Sequence, residues 1–258
     1  VALSRWGLHC SFAGIIGDDP FGSAIEASLR EEGIDTSCLI VRPDSASQFA
    51  FIAVEPGSGH RTIFWRRPTG KPFQPEEIPL GKIREAAVLH TDGLHLEASL
   101  QAARTARQAG IPVVVDAGTL REGMLELAAL SDFFIASEPF ARRLTGNGNP
   151  LDACSLLLAK GPRLAAVTLG AAGYVARYGA TTLRKPAYPV AAVDTTGCGD
   201  VFHGGFIFGL VQRWNWGACL DFAAWAAARV SLQPGGRKGI PTRDEIKTGG
   251  FPVLPEDS

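Results

Sequence analysis

The strongest constraint on this chain is a repeated alternation of short apolar runs with amphipathic stretches that stop at glycine. Ser11–Gly17 is an apolar run followed by Asp18-Asp19-Pro20, and the amphipathic stretch Phe21–Glu32 then stops at Gly33. An acidic N-cap, a proline at the first helical position and a terminal glycine predict a strand followed by a helix. The same pattern returns at Ala87–Thr91 with Leu96–Ala109, at Pro112–Val115 with Arg121–Leu130, at Phe133–Ala136 with Glu138–Leu144, and at Leu164–Leu169. Strands that alternate with helices predict a parallel sheet with helices on both faces. Val113-Val114-Val115 and Asp132-Phe133-Phe134-Ile135 lack polar alternation, as strands covered on both sides do.

Between Thr36 and Arg67 the pattern changes. Cys38–Val41, Gln48–Glu55 and Arg61–Trp65 read as β segments with no helix between them, joined by Pro43-Asp44-Ser45 and Pro56-Gly57-Ser58-Gly59. Antiparallel sheet is expected here, with residues 45–70 forming a small β lid or, alternatively, an edge extension of the main sheet. Short β pieces are expected again over Gly173–Tyr188, and two apolar helices over Asp200–Gln212 and Trp216–Leu232. Val1–Leu8 reads as the end of a helix. A chain of 258 residues sits near the upper limit of one core, so one domain over 1–258 with a small appendage is expected.

Lys and Arg total 25 against 26 Asp and Glu, which leaves no global field for nucleic acid or an acidic membrane, and neither partner is expected. No apolar run reaches the roughly 18 residues that span a bilayer. The five cysteines are scattered and form no C-x-x-C, so neither a disulfide framework nor a zinc cage is expected, and a reducing cytoplasm is the default setting.

Thirty glycines ask where the backbone turns tightly or approaches a ligand. Four of them, Gly197, Gly199, Gly204 and Gly205, fall in Val193–Phe206, at a junction between a β segment and an apolar helix. A glycine-rich approach to a helix N-terminus offers unpaired N–H groups and the positive end of a dipole, a site for an anion such as phosphate. Asp200 beside it is either a general base for a hydroxyl that attacks phosphorus or a helix-capping carboxylate, and local pattern leaves both open. No G-x-x-x-x-G-K-[ST], no helix-opening G-x-G-x-x-G, no H-E-x-x-H and no G-x-S-x-G occurs.

Asp194-Thr195-Thr196-Gly197-Cys198-Gly199-Asp200 resembles the D-T-x-G-A-G-D signature of the ribokinase-like (PfkB) carbohydrate kinases. Gly14–Gly22 is similar to the family's V-G-x-D-x-x-G segment, Val167–Gly173 to its V-T-L-G-x-x-G nucleotide segment, and Gln233–Pro241 to its C-terminal nucleotide loop. The resemblance implies a three-layer α/β/α fold with a mostly parallel central sheet and a β lid. It implies an ATP-dependent kinase that phosphorylates a hydroxyl of a sugar or sugar acid. Asp200 would be the base, and the amides of Gly197, Cys198 and Gly199 the anion hole for the transferring phosphoryl group. Thr168, Gly170 and Gly173 would line the nucleotide, with Gly235 near the adenine. Asp194 and Thr196 match positions that hold a monovalent cation, usually K⁺, and Mg²⁺ would bridge the ATP phosphates mostly through water.

Three departures stand out. The family's N-x-x-E motif aligns with Ser137-Glu138-Pro139-Phe140, so neither the Asn nor the Glu is present. Cys198 replaces the signature alanine, either as a small apolar stand-in or as a thiol made oxidation-sensitive by the helix N-terminus. The family's amino-terminal strand and Gly-Gly sugar motif are absent from the sequence, and an upstream segment is expected to carry them.

Further candidates for contact with substrate are His203, one turn after Asp200, Asp92 and His95 after a strand end, and Arg121 after the next strand. An exposed lid edge makes a homodimer through the lid an expectation. The rivals are a nucleoside kinase of the same fold and a catalytically silent binding or regulatory relative.

Overall fold

The computed structural model describes residues 1–54 and 61–251, which gather into two compact units, Val1–Phe73 with Pro189–Ser258, and Gln74–Tyr188. The first unit opens with α1 (Ala2–Arg5), β1 (Ser11–Gly17), α2 (Pro20–Glu31) and β2 (Asp35–Arg42). Pro20 stands at the start of α2 and Asp19 caps it, its carboxylate accepting the Gly22 amide at 2.7 Å. β1 and β2 run parallel, from Ser11 opposite Asp35 to Gly17 opposite Arg42. This corrects the antiparallel pairing expected for Cys38–Val41. The connection between the two strands is a full helix, and a helical crossover returns the chain in the same direction.

β3 (Phe49–Val54) and β4 (Arg61–Arg66) form a separate two-stranded antiparallel sheet, with Phe49 opposite Arg66 and Phe51 opposite Phe64. The turn expected at Pro56-Gly57-Ser58-Gly59 lies outside the described residues. The chain reaches β3 through a loop folded around Ser47. Gly17 donates its amide to Ser47 Oγ at 2.9 Å, while the Ser47 amide and hydroxyl donate to Asp19 at 3.0 and 2.7 Å. A Cβ on Gly22 would come within 2.8 Å of Ser47 Oγ, so glycine is required by chain packing there.

The second unit carries α3 (Leu80–Glu85), β5 (Leu89–Thr91), α4 (Leu96–Gln108), β6 (Val113–Ala117), α5 (Met124–Leu130) and β7 (Phe133–Ser137). It continues with α6 (Glu138–Thr145), α7 (Pro150–Leu158), β8 (Leu164–Thr168), β9 (Tyr174–Tyr178) and β10 (Thr181–Lys185). One six-stranded sheet in the order β10-β9-β8-β7-β6-β5 results. β5 to β8 are parallel, and β9 and β10 add an antiparallel end. The apolar runs predicted to be covered on both faces are so: none of Val113–Val115 or Phe133–Ile135 is more than 3% exposed. α5 starts at Met124 instead of Arg121, because Gly123 adopts φ +76° and turns the chain just before the helix.

The chain returns to the first unit with α8 (Cys198–Val211), α9 (Trp216–Val230) and α10 (Arg243–Thr248). α8 and α9 pack backbone to backbone. A Cβ on Gly205 would lie 2.7 Å from Ala223 Cα, and one on Gly209 would lie 3.0 Å from Cys219 Cα. Trp6 of the α1 end is 1% exposed and meets Phe208 and Phe222 edge-on at 5.4 and 5.3 Å. Among the described residues no helix is long and apolar enough to cross a membrane.

Candidate active site

The start of α8 is built by two segments that hold one another. Val193 and Asp194 donate their amides to the Ser231 carbonyl at 2.8 and 3.2 Å. Asp194, 7% exposed, accepts the Thr196 amide with one carboxylate oxygen and the Gly235 amide with the other, each at 2.8 Å. Gly197 occupies the N-cap position with φ +77°, and a Cβ there would lie 2.8 Å from Gly236 Cα. Only glycine permits both that conformation and that approach.

Gly197 has no side chain with which to cap the helix. The Val201 amide is the first to close an intrahelical bond, to the Gly197 carbonyl at 2.8 Å, and the Cys198 amide leans on the Thr195 carbonyl at 3.3 Å. The amides of Gly199 and Asp200 therefore have no carbonyl behind them and lie at the positive end of the α8 dipole. The Asp200 side chain belongs to this same first turn, and the residue is exposed. An anion bound here would have hydrogen-bond donors and a carboxylate within one helical turn. His203 is buried at 4% exposure, and its Nδ1 donates to the Gly199 carbonyl at 2.7 Å, which fixes its ring against the helix. The sequence-predicted residues Asp194, Thr196, Gly197, Cys198, Gly199, Asp200, His203 and Gly235 are thus gathered in the first unit.

In the second unit the candidates lie at the carboxyl ends of the parallel strands, the edge where open α/β sheets take ligands. Thr168 ends β8, with its hydroxyl 3.4 Å from the Ala136 carbonyl. Gly170 has φ +56° with open space where a Cβ would stand. Gly173 has φ +90°, and a Cβ there would meet Ala187 N at 2.6 Å, so this glycine is set by the close passage of the chain. Arg121 donates to the Asp92 carbonyl at 2.8 Å, and Asp92 accepts the Leu94 amide at 2.9 Å. His95 occupies the N-cap position of α4.

The positions aligned with N-x-x-E have other occupations. Ser137 caps α6, accepting the Phe140 amide at 3.2 Å and donating to the Gly118 carbonyl at 2.7 Å. Phe140 is fully buried against Phe134, ring centroids 5.5 Å apart, and Glu138 pairs with Arg142 at 2.9 Å. Among the described residues no cluster of three acidic, His or Cys side chains forms a metal cage. Thr196 Oγ1 is buried with no hydrogen-bond partner beside Asp194. Cys154 and Cys219 are thiols pushed up to about 12 by burial, and stay protonated.

The family model for pfkB family carbohydrate kinases matches residues 1–243. The ribokinase of Haemophilus influenzae is 30% identical over 257 residues, covering 95% of this chain and 82% of its own. The fructokinase of Klebsiella pneumoniae is 30% identical, covering 96% of this chain and 88% of its own. A ribokinase candidate from Agrobacterium tumefaciens superposes with a TM-score of 0.85 at 32% identity, over 96% of this chain and 82% of that one. The fold class is accordingly three-layer α/β/α with a mostly parallel central sheet.

Proposed function

The chain belongs to the pfkB family of carbohydrate kinases and is a phosphotransferase, and from that premise we propose that it moves the γ-phosphoryl group of ATP to a hydroxyl of a sugar or sugar acid. The observation that carries this reading is the α8 start, where open first-turn amides and the Asp200 carboxylate share one turn behind a glycine N-cap. Asp200 accepts the proton of the acceptor hydroxyl, the oxygen attacks phosphorus in line, and ADP leaves with the bond electrons. The amides of the Gly197–Gly199 turn donate to the non-bridging oxygens as charge builds on them, Cys198 giving up its long 3.3 Å bond to the Thr195 carbonyl to do so. Each such donor is worth roughly 3–4 kcal/mol in comparable oxyanion sites.

Thr168, Gly170, Gly173 and Gly235 are assigned to the nucleotide, while Asp92, His95, Arg121 and His203 are the candidates for the acceptor side. Mg²⁺ would neutralise the ATP phosphates. Ser137 and Phe140 are committed to a helix cap and to the core, so the two positions aligned with the family's Asn and Glu do not take up those roles. A K⁺ ion is assigned beside Asp194 and Thr196, a reading that the buried Thr196 hydroxyl without a partner supports. Both units are assigned to one catalytic domain, which the single family match over residues 1–243 supports, with 45–70 as its lid. A cytoplasmic setting rests on the scattered cysteines alone.

The test is a panel of sugars, sugar acids, adenosine and inosine with coupled detection of ADP. Acceptor-dependent ADP from a sugar or sugar acid is expected. Turnover confined to nucleosides would make the chain a nucleoside kinase, and ATP binding with no acceptor turned over would mark a silent relative.

A further inference from the structure

We infer that Arg5, Glu32 and Arg237 form a clamp that positions the 233–241 loop for nucleotide binding; this rests on the assignment of that loop to the nucleotide. Arg5 grips the Glu32 carboxylate with a fork, Nε and Nη2 at 2.8 and 2.7 Å. Its remaining nitrogen, Nη1, donates to the Arg237 carbonyl at 2.7 Å. Arg237 sends its own guanidinium to Ser28 Oγ at 2.6 Å and stands 4.0 Å from the same Glu32 carboxylate. One turn of chain away, Trp6 donates its indole N–H to the Pro241 carbonyl at 2.8 Å. The hydroxyl of Ser4 donates to the Glu32 carbonyl. The loop is therefore held from outside at residues 237 and 241, by α1 and α2.

On its inner side the same loop holds the anion site. The Gly235 amide donates to Asp194, and Gly236 lies against Gly197, the N-cap of α8. Residues 237 and 235 are two apart, so slack at the outer anchor reaches the Gly235–Asp194 bond directly. A loop that occupies its binding conformation only part of the time binds with affinity lowered by that fraction. Glu32 keeps its side chain at 16% exposure, and the Arg5 guanidinium beside it holds the carboxyl below the usual carboxylate range. The pair is charged and formed throughout the neutral range. Arg5, Glu32 and Arg237 are positioning residues that touch no reacting atom.

The test is the affinity of the full chain for ADP with Mg²⁺ by titration calorimetry, together with KM for ATP and kcat. Arg5→Lys keeps the charge, but a single ammonium cannot fork to both Glu32 oxygens and also reach the Arg237 carbonyl. ADP affinity is expected to fall about tenfold, the scale of one charge-assisted hydrogen bond. KM for ATP should rise in parallel, with kcat at saturating ATP and KM for the acceptor held within about twofold. Ser28→Ala, at an exposed bond, is the milder variant should Arg5→Lys fail to fold, and about a threefold loss is expected. Variants that melt lower yet bind ADP as the parent does would show a structural role only and overturn the clamp. A parent that binds no ADP would remove the nucleotide assignment, and the clamp with it.

Discussion

Asp194 gives both carboxylate oxygens to backbone amides, fastening the α8 start to a loop 41 residues further on. The glycine cluster around Asp200 marks a site in the sequence, and the resemblance to the family signature adds Asp194 to it. Sequence spacing carries no sign that Asp194 reaches Gly235, because a bond between distant segments leaves no local period. The same limit hid Arg5 and Glu32, which are ordinary surface charges until the fold brings them to the Arg237 carbonyl. Gly197 was legible as a point of close backbone approach, read as an approach to a ligand, and the structure adds an approach to Gly236. The Gly197 φ of +77° and the 2.8 Å approach to Gly236 set a sharp expectation. Gly197→Ala should lose about 1–3 kcal/mol in urea unfolding through backbone strain alone, more with the clash, and most of its turnover. A variant of parental stability and rate would mean that the approach is not needed.

At the scale of elements, the amphipathic helices were legible by their period and α8 and α9 by their long apolar runs, whereas α7, α3 and α10 gave neither signal. α7 carries a capping Asn149 and Pro150 at its start, yet its run of leucines leaves no amphipathic period to count. α3 and α10, six residues each, are too short to show one. The glycines of α8 divide by task in a way no motif announces. Gly197 serves the helix start, Gly199 has open space where a Cβ would stand, and Gly205 and Gly209, one turn apart, bring α9 close. α10 is fixed by a reciprocal cap between Thr242 and Glu245, and Glu245 also takes Arg229 at 2.6 Å. The Thr242 amide first, then Arg229 and the Thr242 hydroxyl, hold the Glu245 carboxyl below its ordinary value. A carboxylate with a depressed folded-state pKa adds stability above its unfolded pKa and loses it as pH falls through the folded one. Urea midpoints should be flat from neutrality to about pH 5 and fall below that, and Glu245→Gln should flatten part of the acid fall. An unchanged acid limb in Glu245→Gln would show that this cap does not titrate with folding.

For the whole molecule, alternation of strands and helices was enough to read the parallel sheet, since buried strands such as Val113–Val115 advertise themselves by lacking polar residues. Direction was harder. The helix between β1 and β2 was legible, but the β texture that follows masked the parallel pairing it enforces. β3 and β4 leave Phe51, Phe64 and Trp65 more than half exposed, at 58%, 58% and 53%. A two-stranded sheet with exposed aromatics is a marginal structure by itself, and a homodimer through the lid would cover them. Light scattering at tens of micromolar should give a dimer that Phe51→Ser with Phe64→Ser converts to monomer, whereas a monomeric parent would reject the lid as an interface. The central claim, phosphoryl transfer at the start of α8 with Asp200 as base, is tested most directly by kcat of Asp200→Asn on the best acceptor of the panel. A fall of about 10²-fold or more, with parental melting and ADP affinity, is predicted. Turnover near that of the parent would contradict it.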